Sequence, residues 1–315
     1  MKMLTRSETA AFLRDHDNYC ILSHRRPDGD TLGSCAALCR ILRALGKTAH
    51  VLANAEITPR YRWIFEGLAV EQPGENDTLV SVDVASAQML AAEAKPYEGR
   101  IALRIDHHGS ATSFTPVELV EPEAGACAEI IWDLANALGV TMDAATADAV
   151  YTALSTDTGC FRFANTTEHS FLVASDCTRR GARVFELNQE LFETVSLTKL
   201  KMQSWIVEHM ELFGDGKLAV VAIPLSVEKE LGVTEDDMEN ISSFPRNISG
   251  VCMAATLRET KDGKVKLSVR AVPGYNAAAI AGIFGGGGHK GAAGASPAMT
   301  IGEAAKAVRQ AMLER

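Results

Sequence analysis

The chain has 315 residues, of which 47% are hydrophobic and 23% charged, a balance typical of a folded globular protein with material for two domains. Its net charge of −9 argues against binding of long nucleic acid, because affinity for a phosphate backbone depends on lysine and arginine. No apolar run reaches the roughly 18–20 residues of a membrane span, and no signal peptide is evident. We therefore expect no membrane association and a cytoplasmic location.

The first part of the chain alternates between predicted strands and predicted helices. Short apolar runs bounded by turn residues predict buried strands at Tyr19–Leu22, Thr48–Leu52, Thr78–Val82 and Ile101–Ile105. Helical spacing predicts a helix that opens on a Thr5–Glu8 capping box and runs to Asp15, then helices at Thr31–Leu45, Arg60–Gly67, Ser86–Ala94, Cys127–Leu138, Ala144–Leu154 and Glu168–Arg180. This alternation is typical of an α/β fold with a parallel sheet and helices on both faces.

The rest of the chain predicts a linker and a smaller α/β domain. The pattern from Phe185 to Phe213 is helical throughout, so we predict a first domain at 1–185, a helical linker at 186–215 and a second domain at 216–315. In the second domain, strands are predicted at Leu218–Ile223, Val251–Arg258 and Lys264–Arg270, the last two as a hairpin, and helices at Asn276–Phe284 and Ile301–Leu313.

Histidines and carboxylates directly follow three of the predicted strands. His24 follows the first strand, Asp83 the third, and Asp106-His107-His108 the fourth. In a parallel sheet these positions share one edge, and ligands bind outside the carboxyl ends of the strands. We therefore expect these side chains to meet in one cleft.

Aspartates near these strand ends have the chemistry of metal ligands. Asp28 and Asp30 lie on a turn that contains Pro27 and Gly29, Asp83 could bridge two cations, and Asp157 precedes Thr158-Gly159. Oxygen and nitrogen ligands without sulfur favour Mn²⁺ or Mg²⁺ over structural zinc. Two such ions would support an in-line phosphoryl displacement. The alternative for the loop of Asp28 and Asp30, equally well supported by that loop alone, is a solvated acidic turn with helix-capping aspartates. The alternative for Asp83 or Asp157 taken singly is an aspartate that caps the following helix.

The histidine pair offers a ligand and a second group for chemistry. Because adjacent residues past a strand end point in different directions, His107 or His108 can bind a metal while the other faces substrate. Asp106 would hold one imidazole in a single tautomer. A pair of ordinary surface histidines is the alternative.

Together these pieces resemble the DHH phosphoesterase superfamily. Four ordered motifs carry the resemblance: His24-x-x-Pro27-Asp28-x-Asp30-x-x-Gly33-Ser34, then Asp83, then Asp106-His107-His108, then Asp157-Thr158-Gly159. A glycine loop with Ser268-x-Arg270 ahead of it and Ala292-Ala293-Gly294 behind resembles the DHH-associated domain. Length and domain order are most similar to the stand-alone branch of nanoRNases and pAp phosphatases. Those enzymes degrade short oligonucleotides and, in many members, 3′-phosphoadenosine 5′-phosphate or dinucleotides.

The resemblance implies roles for individual residues. One divalent ion, Mn²⁺ in preference, would lie on His24, Asp28 and Asp83. A second would lie on Asp30, Asp83, His107 and Asp157, so that Asp83 bridges the two. His108 would contact the scissile phosphate, with Asp106 behind it. A phosphate of the substrate would be held by five residues of the second domain: Arg270, Gly286, Gly287, Gly288 and His289. A flexible loop is the alternative for the four glycines.

Other functions remain open on the sequence. Within the superfamily the alternatives are a cyclic-dinucleotide phosphodiesterase and a manganese pyrophosphatase, although the latter is expected to lack the glycine–histidine loop. Outside catalysis, the alternative is a nucleotide sensor, against which the complete ligand set argues. The sequence does not select one preferred substrate, or RNA over DNA. It is compatible with more than one metal and with more than one oligomeric state, including a homodimer.

Overall fold

A computed structural model describes residues 1–109, 112–238 and 240–314. The chain divides into two compact units, Met1–Thr194 and Val195–Arg315. The division falls within the segment 186–215 that the sequence pattern assigns to a linker.

The first unit is built on a seven-stranded sheet in which every neighbouring pair is parallel. Its strands are β1 Lys2–Met3, β2 Tyr19–Leu22, β3 Ala49–Leu52, β4 Ala69–Val70, β5 Thr78–Val82, β6 Ile101–Asp106 and β7 Val117–Val120. Their order across the sheet is β1-β7-β6-β5-β2-β3-β4. The chain runs outward from β2 to β4 in one direction and from β5 to β7 in the other. The strand order therefore reverses between β2 and β5, and such a switch point is where open α/β sheets bind ligands.

The two faces of this sheet are covered by helices of different kinds. Alternate residues of β2 show both faces: Tyr19 and Ile21 lie in a large core with the α-helices, whereas Cys20 and Leu22 lie in a smaller core. The α-helices are α1 Arg6–Asp15, α2 Gly29–Ala44, α3 Cys127–Leu138, α4 Ala144–Asp157, α5 Glu168–Arg179 and α6 Val184–Asn188. Short 3₁₀ segments, Ala87–Met89 and Lys95–Arg100, adjoin the smaller core.

The predicted strands and most predicted helices of this unit are confirmed. Tyr19–Leu22 and Thr78–Val82 have the predicted bounds, and the α1 capping box is formed by Thr5 and Glu8. Arg60–Gly67 is a 3₁₀ helix at Pro59–Phe65. The sequence pattern missed β1, β4 and β7, all short strands in the outer part of the sheet.

The predicted helix Ser86–Ala94 is wrong, since only a single 3₁₀ turn forms there. The reason is tertiary. Leu90 forms a bridge with His24, and the amide of Arg25 donates to the carbonyl of Met89 at 2.7 Å. Leu90 therefore pairs with the chain just beyond β2 instead of continuing a helix, and its side chain lies in the smaller core.

The second unit has a six-stranded mixed sheet in the order β12-β13-β11-β10-β9-β8. Only β9 and β10 pair in parallel; the other pairs are antiparallel. Its elements are α7 Leu197–His209, β8 Glu211–Phe213, β9 Leu218–Ile223, α8 Leu225–Leu231, α9 Glu235–Met238, β10 Met253–Glu259, β11 Val265–Ala271, α10 Ala277–Ile283, β12 Gly287–Gly288, β13 Ala292–Ala295 and α11 Ile301–Leu313. Helices α10 and α11 pack on one face, and α7 and α9 pack on the other.

The prediction of continuous helix from Phe185 to Phe213 is wrong at two places. Helix stops at residues 194–196, between a π-helical turn and α7, and Glu211–Phe213 is a strand. Phe213 is buried in the core of the second unit, and the Gly214–Gly216 turn allows β8 to pair with β9. The predicted hairpin is confirmed as β10 and β11.

In the parts of the chain that the structure describes, no helix combines the length and the apolar character needed to cross a membrane.

Candidate metal centre

The structure brings the predicted histidines and carboxylates of the first unit together at the carboxyl end of the sheet. His24 and Asp83 follow β2 and β5, and Asp106 ends β6; these three strands are neighbours on both sides of the switch point. His107 and His108 follow β6, Asp28 and Asp30 lie at the start of α2, and Asp157 ends α4. Among the described residues, three groups have ligand atoms within 4.8 Å of one another: His24, Asp28 and Asp83; Asp30, His107 and Asp157; and Asp83, His107 and His108.

Asp83 lies between the first two groups. Its Oδ2 is 3.8 Å from Nε2 of His24, and its Oδ1 is 3.6 Å from Nε2 of His107. The residue is buried and has a φ of +59°, a left-handed conformation that is uncommon outside glycine and concentrated at functional sites. Oδ1 accepts no hydrogen bond from the described residues, although it is buried. The two oxygens thus face two separate sets of ligand atoms.

The spacing of these atoms fits a divalent cation on each side of Asp83. Nε2 of His24 is 3.8 Å from Asp28, and Nε2 of His107 is 3.6 Å from Asp30 and 3.7 Å from Asp157. These separations are too long for hydrogen bonds. Two ligand atoms that are each about 2.1 Å from one ion lie roughly 3.0–4.2 Å apart. An ion would also satisfy the orphaned oxygen of Asp83.

Both imidazoles are oriented by a backbone carbonyl. Nδ1 of His24 is 2.8 Å from the carbonyl oxygen of Arg25, and Nδ1 of His107 is 3.1 Å from that of Ala124. A carbonyl only accepts, so Nδ1 carries the proton and Nε2 presents its lone pair to the carboxylates. This is the usual arrangement of a histidine that binds a metal.

Asp30 connects α2 to α3. Its carboxylate accepts hydrogen bonds from the backbone amides of Cys127 at 2.7 Å and Ala128 at 3.1 Å, and from the hydroxyl of Ser34 at 2.9 Å. The residue before α3, Ala126, has no side chain that can cap the helix. Asp30 therefore caps a helix that begins 97 residues later, and this contact fixes its position beside His107.

Asp157 is held by a loop that returns to it. The side-chain amide of Asn165 donates to Oδ2 and to the carbonyl of Asp157 at 3.2 Å, and to the carbonyl of Gly125 at 2.8 Å. A Cβ on Gly125 would lie 2.7–2.8 Å from three neighbouring oxygens, so only glycine fits there. The segment 124–128 thus supports His107, Asp30 and Asp157 at once.

Asp106 organises the loop that carries both histidines. Its Oδ1 accepts from the amide of His107 at 2.8 Å, from the amide of His108 at 3.2 Å, and from Nδ1 of His108 at 2.8 Å. This hydrogen bond raises the pKa of His108. Because Nδ1 of His108 is engaged by Asp106, His108 has only Nε2 for other partners. Beneath Asp106, the fully buried Arg104 pairs with Glu118 at 2.8 Å.

Burial makes this group of carboxylates costly to ionise. Desolvation is the main cause that raises the pKa of Asp30 to about 7, and that of Asp83 well above its ordinary value. Desolvation also raises the pKa of Asp157. Neighbouring negative charge adds to the effect at all three residues, while His107 opposes it at Asp30 and Asp157. Nearby cations would offset both causes.

These shifts predict that stabilisation by metal depends on pH. Asp30 has a folded-state pKa of about 7 against an ordinary 3.8, so protein without divalent ions loses stability as the pH rises from about 4 to about 7. A metal ion competes with protons for any carboxylate that binds it. We expect the rise in unfolding temperature caused by saturating Mn²⁺ to be larger at about pH 7.5 than at about pH 5.5, and the Asp30→Asn variant to show a weaker dependence. An equal or smaller rise at the higher pH would contradict this interpretation.

The predicted substrate-binding residues lie in the second unit, at one end of its sheet. Arg270 on β11 pairs with Ala292 on β13, and Ala293 pairs with Gly288 on β12. The Arg270 guanidinium donates to the carbonyl of Val269 at 3.2 Å and forms no ion pair with any described residue. Burial lowers its pKa. A half-buried cation without a carboxylate partner is suited to an anionic ligand.

The glycine loop is ordered backbone rather than a flexible linker. Gly287 and Gly288 form β12, and a turn closes behind them where the amide of His289 donates to the carbonyl of Ala292 at 2.8 Å. A Cβ on Gly286 would lie 2.1 Å from the carbonyl oxygen of Gly294, and Gly288 has a φ of +139°. These glycines are required by close backbone contact. His289 is exposed.

The residues that hold the candidate metal ligands in place were not predicted from the sequence. Thr31 donates to Oδ2 of Asp83 at 2.5 Å, and Ala124 and Asn165 orient His107 and Asp157. Thr31 lies one residue from Asp30 and could have been considered, but Ala124 and Asn165 carry no local signal.

Comparison with known proteins agrees with this geometry. The profile of the DHH family N-terminal domain matches residues 18–154, and that of the DHHA1 domain matches residues 215–314. The bifunctional oligoribonuclease and PAP phosphatase NrnA of Thermus thermophilus is 35% identical over 282 residues, covering 88% of this chain and 83% of the relative. The protein of the same description from Bacillus subtilis is 27% identical, covering 89% and 90%.

Solved structures share the fold. An exopolyphosphatase-related protein from Bacteroides fragilis superposes with a TM-score of 0.85 at 21% identity, covering 98% of this chain and 96% of that one. RecJ from Thermus thermophilus in complex with Mn²⁺ superposes with a TM-score of 0.54 at 16% identity, covering 98% of this chain and 54% of that one. With its two domain matches and a 35% identical relative over most of its length, this chain belongs to the DHH family of phosphoesterases, in the branch that contains NrnA.

Proposed function

We propose that this protein is a metal-dependent phosphoesterase that hydrolyses short oligonucleotides and 3′-phosphoadenosine 5′-phosphate. The observation that carries the proposal is Asp83, whose two carboxylate oxygens face His24 on one side and His107 on the other. The substrate class rests on the two NrnA relatives, which are described as oligoribonucleases and PAP phosphatases. We assign catalysis to the predicted domain 1–185 and substrate binding to 216–315, joined by the segment 186–215.

In this proposal the first unit holds two divalent ions, with Mn²⁺ favoured. His24, Asp28 and Asp83 would hold one, and Asp30, Asp83, His107 and Asp157 the other. When bound, such a pair of ions supplies Lewis acidity at the phosphoryl oxygens and activates water at neutral pH. Imidazole nitrogen and carboxylate oxygen without thiolate are donors that suit Mn²⁺.

The chain's own residues contribute orientation and proton transfer. Asp106 holds Nδ1 of His108 at 2.8 Å, which leaves Nε2 to contact the scissile phosphate and to donate a proton to the leaving oxygen. Arg270, Gly286–Gly288 and His289 would bind a phosphate of the substrate that does not react. Binding energy from such a remote group positions the reacting phosphate without taking part in the chemistry.

A substrate panel with Mn²⁺ tests the proposal. We expect turnover of pApA, pGpG and 3′-phosphoadenosine 5′-phosphate, and much slower turnover of a twenty-residue RNA, because an acidic protein does not retain a long phosphate backbone. Product release is followed by chromatography. Equal rates on the two-residue and twenty-residue RNA would contradict the preference for short substrates.

The same panel separates the alternatives. Hydrolysis of pyrophosphate alone would indicate a pyrophosphatase, and hydrolysis of cyclic dinucleotides alone would indicate a cyclic-dinucleotide phosphodiesterase. Binding of pApA without turnover by folded, Mn²⁺-supplied protein would indicate a nucleotide sensor.

A further inference from the structure

A left-handed turn begins at Gly159, two residues after Asp157. Gly159, Cys160 and Phe161 have φ values of +58°, +56° and +60° in succession. Residues other than glycine rarely adopt this conformation, and two of them in sequence are strained. Such strain persists only where surrounding contacts impose it, and it concentrates at functional sites.

Hydrogen bonds on both sides of the turn impose this conformation. The hydroxyl of Thr158 donates to the carbonyl of Leu154 at 2.6 Å and accepts from the amide of Phe161 at 3.2 Å. The carbonyl of Thr158 accepts from the amides of Arg162 and Phe163, both at 3.0 Å. At the far end, Asn165 returns to Asp157, so the loop that contains Phe163 closes on a proposed metal ligand.

The turn separates two phenylalanines into different environments. Phe161 is half-buried against the main core of the first unit, and its ring stacks on Phe171 at 5.3 Å and lies 6.2 Å from Tyr151. Phe163 points outward, and 53% of its surface is exposed. The half-buried Phe161 anchors the turn. The exposure of Phe163 gives up hydrophobic burial and therefore needs another explanation.

Phe163 lies face-on against Gly159. A Cβ at position 159 would be 2.4, 2.5 and 2.6 Å from Cζ, Cε2 and Cε1 of the ring. Near-equal distances to these three atoms place that point over the ring face rather than beyond its edge. One face of the ring therefore covers the glycine backbone, and the other face accounts for the exposure. Any side chain at position 159 would displace the ring.

We propose that the open face of Phe163 is a platform on which a nucleobase next to the scissile phosphate stacks. This inference rests on the proposed function. It narrows the substrates to those that carry a nucleobase next to the scissile phosphate. Every base has a π-face, so stacking on an aromatic ring tolerates any sequence. The ring rests on Gly159, which is two residues from Asp157 and thus at most about 7.6 Å from it along the backbone. Pyrophosphate and simple phosphate esters have no nucleobase that could stack on this ring.

Steady-state kinetics with Mn²⁺ test the platform. The substrates are pApA and two analogues of it, each with an abasic sugar in place of one nucleoside. We expect Phe163→Ala to raise KM for pApA about tenfold with kcat within about twofold, the order of one base–aromatic stack. Phe163→Trp should retain the wild-type KM. With one of the two abasic analogues, wild type and Phe163→Ala should have the same KM, because that analogue lacks the base that stacks on Phe163.

Phe185→Ala is the matched control, since Phe185 is a phenylalanine of the first unit with 69% exposure and lies outside the turn. It should behave as wild type on all three substrates. The inference fails if Phe163→Ala keeps the wild-type KM for pApA, or if its loss is the same on pApA and both analogues. If wild type turns over no nucleotide, the proposed function fails, and the Kd of intact pApA then tests the platform directly. Equal Kd values for wild type and Phe163→Ala would overturn it.

Discussion

Replacing Asp83 by asparagine is expected to lower kcat/KM for pApA by about a thousandfold or more, since divalent metal ions contribute several kcal/mol to a phosphoryl transfer. An amide keeps the shape of the side chain and can still accept the hydrogen bond from Thr31. It removes the negative charge that faces His24 and His107. Full activity in this variant would refute the metal site.

The same substitution should stabilise the protein in the absence of divalent ions. Burial raises the pKa of Asp83 well above its ordinary value, so the folded state retains a proton that the unfolded state releases, and stability falls as the pH rises above about 4. Asparagine carries no such penalty. The unfolding temperature of Asp83→Asn with EDTA should exceed that of wild type at neutral pH, and the difference should shrink toward pH 4. Loss of activity together with loss of stability would instead indicate a damaged fold.

Asp77→Asn provides the control for both measurements. Asp77 directly precedes β5, whereas Asp83 directly follows it, so the two aspartates lie at opposite ends of the same strand. Asp77 accepts a hydrogen bond from the amide of Gly74 at 2.7 Å and belongs to no ligand group. Its substitution should leave turnover and the effect of metal unchanged.

Replacing Arg270 by alanine is expected to raise KM for pApA by about 10- to 100-fold with kcat nearly unchanged. The guanidinium is half-buried and has no carboxylate partner among the described residues, so a substrate phosphate would supply the missing anion. A charged hydrogen bond contributes about 1.5–3 kcal/mol, which corresponds to this change in affinity. An effect on KM alone identifies binding to a group that does not react.

Two further variants sharpen this test. Lys266→Ala removes a positive charge from the same face of β11, four residues before Arg270, and should leave KM within about twofold of wild type. Arg270→Lys should recover only part of the affinity, because an ammonium group cannot form the paired hydrogen bonds of a guanidinium. A variant of Arg270 that lost kcat and kept KM would exclude the proposed role.

Local patterns predicted the elements well where their cause is local. The bounds of Tyr19–Leu22 and Thr78–Val82 follow from apolar runs between turn residues, and the Thr5–Glu8 capping box lies within one helical turn. The same patterns gave a wrong prediction at Ser86–Ala94, where helical spacing is present but Leu90 pairs with His24 instead of continuing a helix. Tertiary contact overrides a weak helical preference of this kind.

The sequence by itself determined the alternating α/β order, the side chains that follow each strand and the resemblance to a phosphoesterase family. Each of these features depends on short stretches of neighbouring residues. Only the tertiary structure decided that β2 lies beside β5, that Asp30 caps α3, and that the two oxygens of Asp83 face opposite ways. These contacts join residues many tens of positions apart. They depend on how distant elements pack, and no local propensity encodes that packing.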